Sequence, residues 1–125
     1  MSSDRPCIVV VDDNFDDLQI IYMALSYYSL EVHAASSAEQ CADLVNQVQP
    51  DLVITDLAMP EADGWAVLDM LRRNPQTAHT PVVAITAYHS PRLQQEALAR
   101  GFDGYVAKPI EMDTIMNELR RVLHG

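Results

Sequence analysis

The sequence predicts an α/β domain built on a parallel sheet, and three observations carry that prediction. Short apolar runs of strand length recur along the chain. Most of them lack the in-out alternation of a half-buried strand, so both faces should be covered. Each is followed by a helical pattern long enough to cross over and return the next strand parallel to the last.

The apolar runs are Cys7–Val11, Leu52–Thr55, Val82–Ile85 and Tyr105–Ala107, with Glu31–Ala35 as a fifth, mixed-polarity strand suited to a sheet edge. Phe15, Leu18, Ile21 and Leu25 fall on one helical face after the first strand. Ser37 with Gln40 reads as a capping box opening a second helix, whose Cys41, Leu44, Val45 and Val48 face inward. Asp63 is placed to cap a third helix with Val67, Leu68 and Leu71 inside. Ser90-Pro91 opens a fourth, and Gly101 suits its C-terminal end. A fifth helix is expected from about Glu111 to His124, with Ile115, Leu119, Val122 and Leu123 on one face. The order is βα repeated five times within 125 residues, read as a single domain over residues 1–125 with no output domain.

Composition narrows the function. Eighteen acidic residues against eight basic ones give a formal charge of -10. Nucleic acid is therefore not an expected partner, since phosphate neutralisation needs clustered Lys and Arg. No membrane-spanning run, lipid-binding basic stretch or signal peptide is evident, and a cytoplasmic location is expected. Cys7 and Cys41 read as reduced, packed thiols rather than a disulfide or a metal pair. His33, His79, His89 and His124 read as ordinary surface histidines, and Trp65 as a packing or surface residue.

The chemistry concentrates at one predicted edge. Asp12 and Asp13 follow the first strand and Asp56 follows the third. In an open parallel sheet these strand ends gather where ligands bind. Two like charges about 4 Å apart repel by roughly 4 kcal/mol at an effective dielectric near 20. A cation relieves that repulsion, and a small set of hard oxygen donors suits Mg²⁺. A single Asp at a strand-helix junction is usually a cap or a solvated turn residue, but three at one edge are harder to explain that way. Thr86 brings a hydroxyl to the same edge, and Lys108, the only lysine in the chain, brings an ammonium. Together they suit phosphoryl transfer, with Asp56 as in-line nucleophile.

These residues stand in motifs: Val11-Asp12-Asp13, the stretch Asp56-Leu-Ala-Met-Pro-Glu-Ala-Asp-Gly64, Thr86-Ala87, and Tyr105-Val-Ala-Lys108-Pro109. In this order, at strand ends, they resemble the receiver domain of bacterial two-component response regulators, here of the single-domain, chemotaxis-regulator-like kind. The resemblance spans essentially the whole chain. It implies a flavodoxin-like, doubly wound (βα)5 sheet of order 2-1-3-4-5. It also implies a phosphoacceptor signalling protein rather than an enzyme, phosphorylated on Asp56 by a sensor histidine kinase or phosphotransfer protein. Asp12, Asp13, Asp56 and the Ala58 carbonyl match the Mg²⁺ ligands. Lys108 matches the phosphoryl-binding lysine, and its bond to Pro109 is expected to be cis. Thr86 and Tyr105 match the switch pair that signals to a downstream protein.

Asp63-Gly64 is read as a turn without chemistry, and Met59-Pro60 as a shape determinant of its loop. Ala58 offers no side chain to orient water and Tyr88 is bulky, so self-dephosphorylation is expected to be slow, over minutes or longer. Gly104, where dimerising relatives carry an acid, argues for a monomer. The output surface is expected near His89, Arg92, Tyr105 and Met112. The alternatives are a phosphorylation-independent binding module and two other classes. A haloacid-dehalogenase-type phosphatase wants Asp-x-Asp, whereas Asp12 and Asp13 are adjacent and followed by Asn14. A flavodoxin wants a Ser/Thr/Gly-rich phosphate loop where this chain has Asp-Asp-Asn-Phe.

Overall fold

A computed structural model describes residues 5–58 and 63–124 of the chain. Met59-Pro60 and the rest of 59–62 lie outside the described residues. Five strands alternate with five helices: β1 (Cys7–Val11), α1 (Phe15–Tyr27), β2 (Glu31–Ala35), α2 (Ala38–Val48), β3 (Leu52–Asp56), α3 (Gly64–Arg73), β4 (Val82–Thr86), α4 (Pro91–Arg100), β5 (Gly104–Ala107) and α5 (Met112–His124). All strand pairs are parallel and the order is β2-β1-β3-β4-β5, as the resemblance implied. β1, β3 and β4 are buried along their whole length. That explains their unbroken apolar runs.

The strands present alternate residues to two cores. Val9, Val11, Val53 and Ala84 pack beneath α2, α3 and α4, together with Val45, Leu68, Leu71 and Ala97. Ile8, Val10, Ile54 and Ile85 pack beneath α1 and α5, against Leu18, Ile21, Ile115 and Leu119. Phe15 does not join its expected face and is 68% exposed. It is the first residue of α1, and a helical side chain leans back toward the N-terminus, here beyond the sheet edge that covers Leu18.

Local chemistry sets the helix ends. Asn14 caps α1 by accepting the Asp17 N–H, a cap absent from the sequence expectation. Ser37 caps α2 by accepting from Gln40 N–H, but the return bond goes elsewhere. Gln40 Oε1 accepts from Ser36 N–H at 2.8 Å and Ser36 Oγ at 3.0 Å, one residue earlier than a capping box requires. Asp63 and Ser90 cap α3 and α4 as expected. Gly101 ends α4 at φ 116°, a conformation L side chains rarely adopt.

The β5 edge is covered by a side chain from α5. On β5, Glu118 accepts the outward-facing Tyr105 N–H at 2.8 Å. A Cβ on the neighbouring Gly104 would come within 2.8 Å of the same carboxylate, so any larger residue at 104 would have to displace the Glu118 side chain from that bond. No helix among the described residues is long and apolar enough to cross a membrane.

Candidate functional site

β3 extends one residue further than the sequence suggested, so Asp56 is its last residue, paired with Ile85. Its backbone is held in the ladder while its side chain stands at the sheet edge. The Asp56 carboxylate is nearly buried, accepts the Ala58 N–H through Oδ1 at 2.8 Å, and meets Lys108 Nζ through Oδ2 at 2.7 Å. Gly64 fixes the local backbone. A Cβ there would strike the Asp56 carbonyl and lie 2.9 Å from Leu57 Cα. Only glycine allows α3 to begin so close beneath the end of β3. The turn reading of Asp63-Gly64 missed this packing role.

Asp12 sits one residue past β1 and is fully buried. Its Oδ1 accepts the Asn14 N–H at 2.9 Å and its Oδ2 lies 2.9 Å from Lys108 Nζ. Burial raises the Asp12 pKa above the usual carboxylate range. The bonds from Asn14 and Lys108 oppose that rise and the Asp56 charge adds to it. Asp13 is exposed at the rim. Carboxylate oxygens of Asp12, Asp13 and Asp56 lie within 4.8 Å of one another. Three hard donors at this spacing fit Mg²⁺, which accepts one or two carboxylates and keeps sites for water and phosphate oxygens.

Lys108 follows β5, which its N–H extends by bonding the Thr86 carbonyl at 2.8 Å. The Lys108-Pro109 bond is cis. Its ammonium also reaches Asp17 Oδ2 at 2.7 Å, so three carboxylates share one nitrogen. Burial alone would lower the Lys108 pKa. The bonds to Asp17, Asp56 and Asp12 more than offset that and hold it well above the ordinary lysine range. Asp17 was not anticipated. It sits in the first turn of α1 beside Asp16, where acids are common because the helix dipole favours them. Nothing in the sequence separated the inward Asp17 from its exposed neighbour.

Thr86 ends β4 and is buried, but its Oγ1 accepts the Tyr88 N–H at 3.0 Å. Tyr88 itself is exposed. Tyr105 is buried in the core under α4, and its hydroxyl lies 3.0 Å from His89 Nδ1. Burial raises the phenol's pKa, opposed by the Ser90 backbone N–H. His89 is therefore not an idle surface histidine, although it is exposed. Trp65 packs edge-on against Phe102 with Arg100 over its ring, as a packing residue should. Both cysteines are free and buried, and burial pushes the Cys41 thiol up to about 12.

A parallel, doubly wound sheet with an acidic cluster, a lysine and a hydroxyl at its C-terminal edge defines a phosphoacceptor class of signalling domain. The chain belongs to the response regulator receiver domain family, whose model matches residues 8–120. It is 31% identical over 118 residues to the histidine-protein kinase BarA of Escherichia coli K12, covering 94% of this chain but 13% of the kinase. It is 34% identical to a 14.6 kDa protein of Leptolyngbya boryana, covering 83% of this chain and 79% of that one. Among solved structures, the chemotaxis protein CheY4 of Vibrio cholerae superposes with a TM-score of 0.89 at 28% identity, covering 95% of this chain and 99% of that one. The chain thus spans about an eighth of BarA and nearly all of CheY4. Receiver domains of this family are signalling phosphoacceptors that bind Mg²⁺ at an acidic pocket and work with histidine kinases or phosphotransfer proteins.

Proposed function

We propose that Asp56 accepts a phosphoryl group from a phosphohistidine, and that the modified chain signals to a protein partner in the cytoplasm. The Asp56 oxygen attacks phosphorus, the P–N bond breaks, and the imidazole leaves with the electron pair. Asp12, Asp13 and Asp56, with the Ala58 carbonyl, would hold Mg²⁺, which when bound would supply positive charge to offset that on the phosphoryl oxygens. Lys108 supplies a second positive centre. Thr86 then bonds the phosphoryl group, and Tyr105 responds. The observation that carries this reading is the convergence of Asp56 with Asp12 and Asp13 within 4.8 Å, and with Lys108 Nζ at 2.7 Å.

The test uses a small-molecule phosphodonor with Mg²⁺ and intact-mass detection. One phosphoryl group should add to the wild-type chain, none with EDTA, and none to Asp56→Asn. An unmodified wild-type chain would favour a binding module independent of phosphorylation. Modification that survives Asp56→Asn would place the acceptor elsewhere.

A further inference from the structure

At the opposite end of β1 from Asp12 lies a second cluster of ligating side chains. Cys7 opens β1 and stands directly across from Glu31 on β2, and His33 follows two residues along β2, on the same face as Glu31. A sulfur, a carboxylate oxygen and an imidazole nitrogen from these three residues lie within 4.8 Å of one another. His33 Nε2 is 2.9 Å from Glu31 Oε2, and the Cys7 thiol also hydrogen-bonds Glu31. Asp51 brings another carboxylate alongside, accepting the Cys7 N–H at 2.7 Å. Cys7 is buried, while Glu31 and His33 are half-buried, so the cluster opens to solvent on one side.

We infer that Cys7, Glu31 and His33 form a zinc-binding site that ties the edge strand β2 to β1. The donor set decides the metal. Thiolate and imidazole favour Zn²⁺ over Mg²⁺ or Ca²⁺, which require oxygen. Zinc bond lengths of about 2.0–2.3 Å put tetrahedral donors roughly 3.3–3.7 Å apart, so side-chain rotation suffices without moving either strand. Zn²⁺ replaces the Cys7 proton, which leaves to solvent. The thiolate and the Glu31 carboxylate then balance the two positive charges, with His33 neutral. The fourth position is left to water. Five strand steps of about 3.3 Å separate Cys7 from Asp12, so this site and the acidic pocket are independent.

Cobalt(II), which reports coordination by its spectrum, is titrated into the full chain with Mg²⁺ saturating the acidic pocket. The expected result is one cobalt per chain, with a thiolate-to-metal charge-transfer band and d–d bands of tetrahedral intensity, displaced by one equivalent of zinc. Cys7→Ser should abolish the charge-transfer band, and Cys41→Ser and Asp13→Asn should leave it intact. His33→Gln and Glu31→Gln, at half-buried edge positions, should each weaken zinc binding at least tenfold even if Cys7→Ser folds poorly. A wild-type spectrum without the thiolate band, or zinc affinity unchanged in both edge variants, overturns the inference. In that case the trio is only a hydrogen-bonded chain.

Discussion

Replacing Lys108 with Met removes the ammonium but keeps most of the side chain's length, and so isolates its charge. Three carboxylates lose their common partner, at 2.7, 2.7 and 2.9 Å. Asp12 and Asp56 are shielded from water, whereas the Asp17 side chain is 33% exposed and partly screened. Breaking a buried pair by deleting one partner costs about 3–5 kcal/mol, and the screened Asp17 adds no more than about 1 kcal/mol. At a few degrees per kcal/mol for a domain of this size, the melting temperature in EDTA should fall by roughly 10–20 °C. Adding Asp56→Asn to the Lys108→Met chain should restore about 1–3 kcal/mol, because it deletes one of the stranded charges. Lys108 has a folded pKa raised above its unfolded value. Its contribution is therefore complete below the unfolded value near 10.5 and is lost as pH rises through the folded one. In the variant Asp12 loses the Lys108 bond that opposes the effect of its burial, so it binds a proton more readily when folded and the deficit should shrink toward acid pH. Urea melts across pH in EDTA measure all of this. A Lys108→Met chain within about 1 kcal/mol of wild type at neutral pH, or further loss on adding Asp56→Asn, would refute the charge argument.

Mg²⁺ at a hundredfold excess over its dissociation constant should stabilise the wild-type chain by about 2.7 kcal/mol. Asp13→Asn should reduce that gain and, by relieving repulsion, slightly stabilise the metal-free protein in thermal melts. Gly64→Ala should cost about 1–3 kcal/mol in chemical denaturation, because its Cβ meets backbone rather than a flexible side chain. The Arg121 bond, with help from the Tyr105 N–H and against partial burial, lowers the Glu118 pKa. Its stabilisation is present above the unfolded value near 4.5 and disappears as pH falls through the folded value, so Glu118→Gln should flatten the acid side of the stability profile. Because Ala58 has no side chain to orient water, phospho-Asp56 should persist for minutes or longer in purified protein, and decay within seconds in a mass-spectrometric time course would contradict this.

The parallel sheet was legible because β1, β3 and β4 lie in its interior and advertise that in unbroken apolar runs. Asp12, Asp56 and Lys108 were legible because strand ends fall together whatever lies between them in sequence. What sequence concealed depends on side-chain direction. Asp17 and Asp16 differ only by a rotation of about 100° around α1, yet one of them holds Lys108. Phe15 fits the apolar period but starts its helix beyond the sheet, so periodicity alone placed it wrongly. His33 and His89 lay in unrelated segments. Glu31 is two residues from His33 on β2, but Cys7 joins them only through the β1–β2 register, and His89 meets Tyr105 only through the β4–α4 connection, neither of which composition reveals.

That connection bears directly on how the proposed signal could travel. Tyr88 N–H holds the Thr86 hydroxyl, His89 holds the Tyr105 hydroxyl, and Ser90 caps α4 at the Leu93 N–H. Three consecutive residues therefore secure the site's hydroxyl, the buried aromatic and the start of a helix. If Thr86 turns toward a phosphoryl group, it must release Tyr88, and His89 is the next residue along the backbone. Each neutral bond given up is worth about 0.5–1.5 kcal/mol, while a bond to a charged phosphoryl oxygen contributes about 1.5–3 kcal/mol. Two bonds lost against one gained leaves the two arrangements within a few kcal/mol of each other. A small gap of this kind lets one covalent group move most of a population, which neither a rigid core nor a free loop would permit.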